Sequence, residues 1–112
     1  GLGGSSNTWS ALMPGLAPPL WHYEMRNLLI TAVRRNRIAA ASVPEHVAAF
    51  MALPVELDGH ADFDAAVPLA LSHGLSFYDA LYLELALRRG GRLATADRRL
   101  HAAARAEGVA WD

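Results

Sequence analysis

Three acidic residues, Glu24, Asp79 and Asp97, lie in or beside segments whose apolar pattern predicts burial. Carboxylates brought within a few ångströms of one another repel, and some of them take up protons. Mg²⁺ or Mn²⁺ removes that repulsion, because these ions bind carboxylate oxygens together with water and phosphate. A cation held in this way can activate water for the hydrolysis of a phosphodiester. The chain has no cysteine and its five histidines are scattered, so carboxylates are the ligand set that it offers.

Each of the three acids also has a purely structural explanation. Asp79 falls in the first turn of a predicted helix, where an acid complements the helix dipole. Asp97 directly follows the predicted strand "RLAT" and can cap the next helix. Glu24 lies at the edge of the apolar stripe of its helix, where an ordinary surface glutamate is the favoured explanation if Glu24 is considered alone. The metal-site interpretation therefore depends on the three acids meeting in space, as side chains do beyond the carboxyl ends of parallel strands.

The stretch "SFYDALYLELA" predicts the helix that carries Asp79. Ser76 and Asp79 have the spacing of a capping box, and Gly90-Gly91 predicts the end of the helix. An apolar stripe headed by Asp79 should face the sheet, and it consists of Tyr82, Leu83 and Ala86. Glu84 lies about 140° round the helix from Asp79. Because Glu84 can pair with Arg88 one turn away, we expect it to be an ordinary surface charge.

The other elements are predicted by periodicity and by breaker residues. Helices are expected in "LWHYEMRNLLITAVRRN", in "SVPEHVAAFMAL" with a capping box from Ser42 to Glu45, over residues 64–73 and in "RRLHAAARAEG". Strands are expected over residues 11–17, in "PVELD", in "RLATAD" and in "VAW". Short strands that alternate with helices predict an α/β fold with a mostly parallel sheet flanked by helices.

Composition limits the class of protein. The chain has 112 residues, 53% of them hydrophobic and 19% charged, which is typical of one globular domain. No apolar run is long enough for a membrane span and no secretion signal opens the chain, so we expect no membrane partner. The absence of cysteine favours a cytoplasmic location. All ten basic residues are arginine, and their clusters are compatible with phosphate binding or with solvated helix ends.

Two C-terminal motifs carry a resemblance to a known family. "SFYDALYLELA" followed by "RLATADRRL" resembles the C-terminal half of a PIN domain of the VapC toxin type, and "PPLWHYEMRNLL" resembles the Trp-x-x-Glu-x-x-Asn helix of that family. The resemblance implies a metal-dependent endoribonuclease that acts on RNA, forms a homodimer and is inhibited by an antitoxin protein. It places metal-binding and catalytic roles on Glu24, Asp79 and Asp97, with Mg²⁺ or Mn²⁺ as cofactor. Thr95 would help to fix the loop of the last acid.

The N-terminal part departs from the family pattern. The family begins with a strand of the form apolar-apolar-Asp-x-Ser, whose aspartate is the first metal ligand, whereas "GLGGSSNTWSALM" contains no acid. We therefore expect an N-terminally truncated PIN-like domain over residues 17–112, preceded by a flexible or atypical segment over residues 1–16. A truncated chain, replacement of the strand by another segment or chain, and a degenerate member all remain open.

Three functions compete on the sequence alone. The first is an RNA-cleaving toxin that uses the three acids and a divalent cation. The second is a catalytically silent module that binds an antitoxin or dimerises without cleaving RNA, which the missing aspartate favours. The third is an unrelated α/β domain that binds Mg²⁺ for phosphoryl transfer. The third would need paired acids after a first strand and a late lysine, and the chain has neither.

Overall fold

A computed structural model describes residues 10–13 and 15–111, apart from the side chains of Ala11 and Met13. The strands are β1 (Ser10–Met13), β2 (Leu16–Ala17), β3 (Glu56–Leu57) and β4 (Arg92–Thr95). The helices are α1 (Leu20–Arg34), α2 (Val43–Met51), α3 (Phe63–His73), α4 (Phe77–Arg89) and α5 (Arg98–Ala106), and a 3₁₀ turn over Ala40–Ser42 precedes α2. No helix in this part of the chain is both long and apolar enough to cross a membrane.

The sheet has the strand order β3-β2-β1-β4. β2 and β3 are parallel, while β1 is antiparallel to both of its neighbours, so β2, β3 and β4 share one direction. Ala110 adds a parallel bridge to Leu93 on the outer side of β4, where "VAW" predicts a strand. The α/β fold with a mostly parallel sheet is therefore confirmed, and β1 is the antiparallel exception.

The reversal between β1 and β2 depends on Gly15. Its N–H donates to the carbonyl of Leu12 at 2.6 Å, and its φ of +91° is a conformation that side chains disfavour. A Cβ at this position would lie 2.8 Å from the carbonyl oxygen of Pro54, so glycine is required where β1 turns back along the sheet.

The main core lies between α4, α5 and the sheet. It contains Leu12, Leu16, Tyr82, Leu83, Leu85, Ala86, Leu93 and Leu100 among its buried side chains. The stripe predicted for α4 is therefore buried as expected. A second cluster joins α1 to α2, where the rings of Trp21 and Phe50 meet edge to face with centroids 5.4 Å apart. These two clusters fix the helices that carry the three predicted site residues.

Both predicted ends of α4 are confirmed, whereas the side-chain cap predicted for α2 is not formed. The hydroxyl of Ser76 accepts the N–H of Asp79 at 3.1 Å, and Gly90 ends α4 in the left-handed conformation. Ser42 does not cap α2. The 3₁₀ turn before α2 gives Ser42 a helical backbone, and its hydroxyl instead donates to the carbonyl of Ala39 at 2.7 Å.

The predicted boundary between an N-terminal segment and the domain falls inside the described region. Leu12 and Leu16 belong to the main core, so residues 10–13, 15 and 16 pack with the rest of the domain. Residues 1–9 lie outside the described residues, and the division at residues 16 and 17 stays a prediction.

Candidate metal centre

Asp79 and Asp97 line one cavity of about 330 Å³ between the start of α4 and the start of α5. Asp79 lies in the first turn of α4 and Asp97 immediately precedes α5. Ser76, Arg98 and Arg99 are also in the wall. The tertiary fold thus brings together two acids that are 18 positions apart in the sequence.

Asp79 is 7% exposed. Burial raises the pKa of its carboxyl group, and the charge of Asp97 raises it further, while a hydrogen bond from the Ser76 side chain opposes the shift. The electrostatic effect of Asp97 means that the two carboxylates interact across the cavity. A cation placed between them would remove the unfavourable part of that interaction.

Hydrogen bonds fix both the side chain and the backbone of Asp97. Its Oδ1 accepts the N–H of Leu100 at 2.9 Å and caps α5. Its backbone N–H donates to Oγ1 of Thr95 at 3.1 Å. The same Oγ1 atom forms a hydrogen bond with the hydroxyl of Ser10 on β1, at 2.9 Å. The cap predicted for Asp97 is present, and Thr95 contacts the acid loop as the resemblance implies. The loop is therefore tied to both β4 and β1.

Glu24 approaches the same acids from α1. Its Oε1 atom is buried and has no hydrogen-bond partner among the described residues, while the carboxyl group shares a hydrogen bond with the side chain of Tyr82. Burial raises the pKa of Glu24, the Tyr82 hydrogen bond opposes the shift, and the charge of Asp79 adds to it. An unpartnered buried oxygen costs free energy, so the site fits a ligand that binds this atom.

Tyr82 is a site residue that sequence reasoning took for core. It is 1% exposed, and burial together with the neighbouring charge of Glu24 raises the pKa of its phenol. The phenol therefore remains protonated and donates to the Glu24 carboxylate. A tyrosine in the middle of a buried stripe is itself a signal, because a buried hydroxyl needs a partner.

The three acids interact as two pairs that share Asp79. Glu24 interacts with Asp79, and Asp79 interacts with Asp97. In residues 10–13 and 15–111, no group of three or more histidine, aspartate or glutamate residues lies close enough together to hold one metal ion. The Glu24 oxygen without a described partner and the repulsion between Asp79 and Asp97 nevertheless fit an oxygen-seeking divalent cation. The metal-binding role of Glu24, Asp79 and Asp97 stays a prediction.

A second group of buried acids is neutralised by arginine. Asp58, whose side chain is 1% exposed, accepts hydrogen bonds from Arg88 at 3.1 Å and from Arg89 at 2.6 Å. Glu84 accepts from Nε of Arg88 at 2.6 Å. Hydrogen bonding by Arg88, supported by the backbone N–H of His60, lowers the pKa of Asp58. Arginine side chains of the same chain therefore neutralise both acids.

The prediction for Glu84 is half right. It pairs with Arg88 as expected, but it is 3% exposed and not a surface charge. The reason is that α3 and the segment around Asp58 cover the face of α4 that a single helix would leave open. Sequence reasoning missed Asp58. The available signal was an acid that ends a strand, combined with two successive arginines.

The PIN-domain family matches residues 16–106 of the chain. The chain therefore belongs to the PIN-domain family. It is also similar to Ribonuclease VapC3 of Pyrobaculum aerophilum, with 39% identity over 85 residues that cover 76% of this chain and 60% of the relative. The chain thus spans about 60% of the length of that curated relative. No solved structure matches it significantly. The VapC-type resemblance drawn from the motifs is confirmed.

Proposed function

We propose that the chain is a metal-dependent endoribonuclease toxin of the VapC type, with Glu24, Asp79 and Asp97 as metal ligands and catalytic residues. The observation that carries the proposal is the buried Oε1 of Glu24, which has no hydrogen-bond partner among the described residues and lies near Asp79, whose pKa is raised by burial and by the charge of Asp97. Family membership and the ribonuclease name of the relative support the reaction class.

Each part of the site has a role that follows from its contacts. Mg²⁺ or Mn²⁺, when bound, supplies activation of water and neutralises charge that develops on the phosphodiester. Tyr82 fixes the orientation of Glu24 through its hydrogen bond. Thr95 and Leu100 hold Asp97 in place. Arg98, which has no hydrogen bond or ion pair with the described residues, is free to bind a phosphate of RNA.

The biological setting of the proposal follows from the family resemblance. It comprises an RNA substrate, an antitoxin protein that inhibits the enzyme, a homodimer and a cytoplasmic location. The catalytic unit would be the PIN-like domain over residues 17–112, with residues 1–16 as an atypical N-terminal segment. The substitution of β1 for the family's first strand is supported by its position between β2 and β4.

The test is cleavage of a panel of structured RNAs by the purified chain in Mg²⁺, in Mn²⁺ and in EDTA. We expect metal-dependent cleavage, and a loss of at least about 100-fold in the Asp79→Asn/Asp97→Asn double variant. Asparagine retains the capping ability of Asp97, so α5 is preserved. The matched control is Asp62→Asn, which alters the N-cap of α3 outside this cavity. Equal cleavage by all three chains would show that the activity does not belong to these acids.

The alternative is a catalytically silent module that binds an antitoxin or dimerises without cleaving RNA. The arrangement of the described acids as two pairs, with no group of three ligands, favours this alternative. A folded chain that binds Mn²⁺ weakly and cuts no RNA in the same assay would establish it. Circular dichroism of each sample separates that outcome from simple unfolding.

A further inference from the structure

The loop between α3 and α4 forms part of the wall of the acid cavity. It consists of Gly74, Leu75 and Ser76, and all three residues line the cavity together with Asp79. The hydroxyl of Ser76 accepts the backbone N–H of Asp79 at 3.1 Å and also hydrogen-bonds its carboxyl group. The placement of Ser76 by this loop therefore determines how the Asp79 carboxyl group is held.

Two side-chain contacts attach this loop to α5, and we name them the α5 clamp. Nη1 of Arg99, in the first turn of α5, donates to the carbonyl of Gly74 at 3.0 Å. Nε2 of His73, the last residue of α3, lies 2.8 Å from Oε2 of Glu107, which directly follows α5. Both contacts use the C-terminal end of α3, where helix carbonyls lack partners within the helix and a cation is favoured.

The α5 clamp holds the loop at two separate points. Arg99 and Glu107 are eight positions apart in the sequence, so they lie about 12 Å apart along the axis of α5. A loop attached at one point can rotate about it, whereas two attachments at this separation resist rotation and translation together. Because Asp97 caps α5, the clamp connects the loop that holds Asp79 to the helix that begins beside Asp97.

Repulsion between the two acids gives this attachment a purpose. The charge of Asp97 raises the pKa of Asp79, so the two carboxylates repel each other when both are ionised. The repulsion favours separation of the start of α4 from the start of α5. A contact that ties the α3–α4 loop to α5 opposes that separation and keeps the acids in place before a cation binds.

We propose that the α5 clamp fixes the position of Asp79 relative to Asp97, and that His73, Arg99 and Glu107 are positioning residues of the acid cavity. The proposal rests on the proposed function and adds residues that act through the α3–α4 loop without touching metal or RNA. It also separates the two arginines of the cavity wall, because Arg99 holds the loop.

The first test is Mn²⁺ affinity, measured by isothermal titration calorimetry on folded samples. His73→Ala, Arg99→Ala and Glu107→Ala should each bind Mn²⁺ about 5-fold more weakly, less than the loss of about 10-fold for a residue that contacts a metal ligand directly. His73→Gln and Arg99→Lys keep a donor, and Glu107→Gln keeps an acceptor. These three conservative variants should therefore bind Mn²⁺ like the wild type.

A double variant and a matched control make the result specific. His73→Ala/Glu107→Ala should lose no more Mn²⁺ affinity than either single variant, because the two side chains form one contact. Arg92→Ala is the control for Arg99→Ala, since Nη1 of Arg92 also donates to a backbone carbonyl, that of Ala110 at 3.4 Å, outside the cavity. The control should leave Mn²⁺ affinity unchanged.

The second test needs no metal. Hydrogen exchange of single backbone amides is measured by NMR in EDTA, and the amide of Asp79 should exchange about 5-fold faster in the three alanine variants. The amide of Ala65, which donates to the cap of α3 at Asp62, should keep its wild-type rate. Faster exchange at Asp79 alone would show that the clamp acts on the start of α4.

The two tests separate failure of this proposal from failure of the proposed function. A wild-type chain that binds no Mn²⁺ would refute the proposed metal site, and the exchange rate of Asp79 would then decide on the clamp by itself. Unchanged exchange at Asp79 in the alanine variants would overturn the proposal.

Where the wild type binds Mn²⁺, three further results would overturn the proposal. The first is unchanged Mn²⁺ affinity in the alanine variants, which would make the clamp a purely structural contact. The second is conservative variants that bind Mn²⁺ as weakly as the alanine variants. The third is an Arg99→Ala chain with a raised KM for RNA and an unchanged Mn²⁺ affinity, which would make Arg99 a phosphate ligand.

Discussion

Helix α4 carries two buried acids that have opposite surroundings. Asp79 in the first turn faces other carboxylates, and its pKa is raised by burial and by Asp97. Glu84, less than two turns further along, is paired with Arg88, which also binds Asp58. The same helix therefore holds one acid that arginine neutralises and one whose pKa is raised by a neighbouring acid.

The difference teaches how to separate structural from functional acids. A buried carboxylate with an arginine partner is satisfied within the fold and needs nothing from outside. A buried carboxylate whose neighbours are acids destabilises the folded chain until a cation or a proton arrives. Perturbed acids of the second kind cluster at functional sites, and Asp79 is of this kind whereas Asp58 is not.

The largest expected effect comes from breaking the neutralised group. Asp58→Asn should lower the free energy of unfolding by about 3 kcal/mol, because it leaves Arg88 and Arg89 without their shared acid. We take the low end of the usual range, since these arginine side chains are 28% and 40% exposed. Asp79→Asn in EDTA should leave the free energy of unfolding unchanged or raise it. Urea denaturation measures the free energy of unfolding of both variants. Equal losses would show that Asp58 and Asp79 do not differ in their contribution to stability.

The next effect concerns the orientation of Glu24. Tyr82→Phe keeps the buried ring but removes the hydroxyl that holds the carboxylate, so Mn²⁺ affinity should fall about 10-fold, as for other residues that orient metal ligands. Isothermal titration calorimetry measures the affinity. Tyr23→Phe is the control, since Tyr23 is 74% exposed and its hydroxyl has no such role. If both variants bind Mn²⁺ like the wild type, Tyr82 serves packing alone.

A smaller effect compares two helix caps. Ser76→Ala and Asp62→Ala each remove a side chain that accepts a backbone N–H at the start of a helix. Each should cost about 1 kcal/mol in the free energy of unfolding. Mn²⁺ affinity should fall in Ser76→Ala alone, because Ser76 also hydrogen-bonds the Asp79 carboxyl group. Equal Mn²⁺ affinities in the two variants would show that Ser76 caps α4 but does not contribute to metal binding.

The smallest effect is a difference in pH dependence. The pKa of Asp79 is raised in the folded chain. The ionised carboxylate therefore destabilises the folded chain. This destabilisation is absent below about pH 4 and grows as pH rises towards the raised pKa. The pKa of Asp58 is lowered, so its stabilisation is present above about pH 4 and is lost as pH falls below it. In EDTA, the stability of Asp79→Asn relative to wild type should therefore rise from pH 4 to pH 7.

For Asp58→Asn, the deficit relative to wild type should shrink below about pH 4, because Asp58 takes up a proton there in the unfolded wild-type chain while its lowered pKa keeps it ionised in the folded chain. Urea denaturation in EDTA across this pH range measures both variants. Slopes of the same sign for the two variants would show that the two acid groups do not differ in the way described.

The sequence by itself determined most of the elements around the site. Ser76 and Gly90 predict helix ends because caps and left-handed turns are local preferences. The local rule failed at Ser42, because the preceding 3₁₀ turn gives Ser42 a helical backbone and a side-chain cap needs an extended one. Local rules also could not give the direction of β1, because the pairing of strands depends on distant residues such as Leu93.

Only the tertiary structure decided which acids are neutralised. Local spacing predicts the pair of Glu84 with Arg88, but it predicts neither the burial of Glu84 nor the acids that surround Asp79. Asp58 reaches Arg88 and Arg89 from 30 and 31 positions away, whereas Asp79 meets Glu24 and Asp97. Electrostatic free energy depends on distance and burial in three dimensions. The sequence therefore identified the carboxylates, and the packing of α1, α4 and α5 decided that Asp79 interacts with Glu24 on one side and with Asp97 on the other.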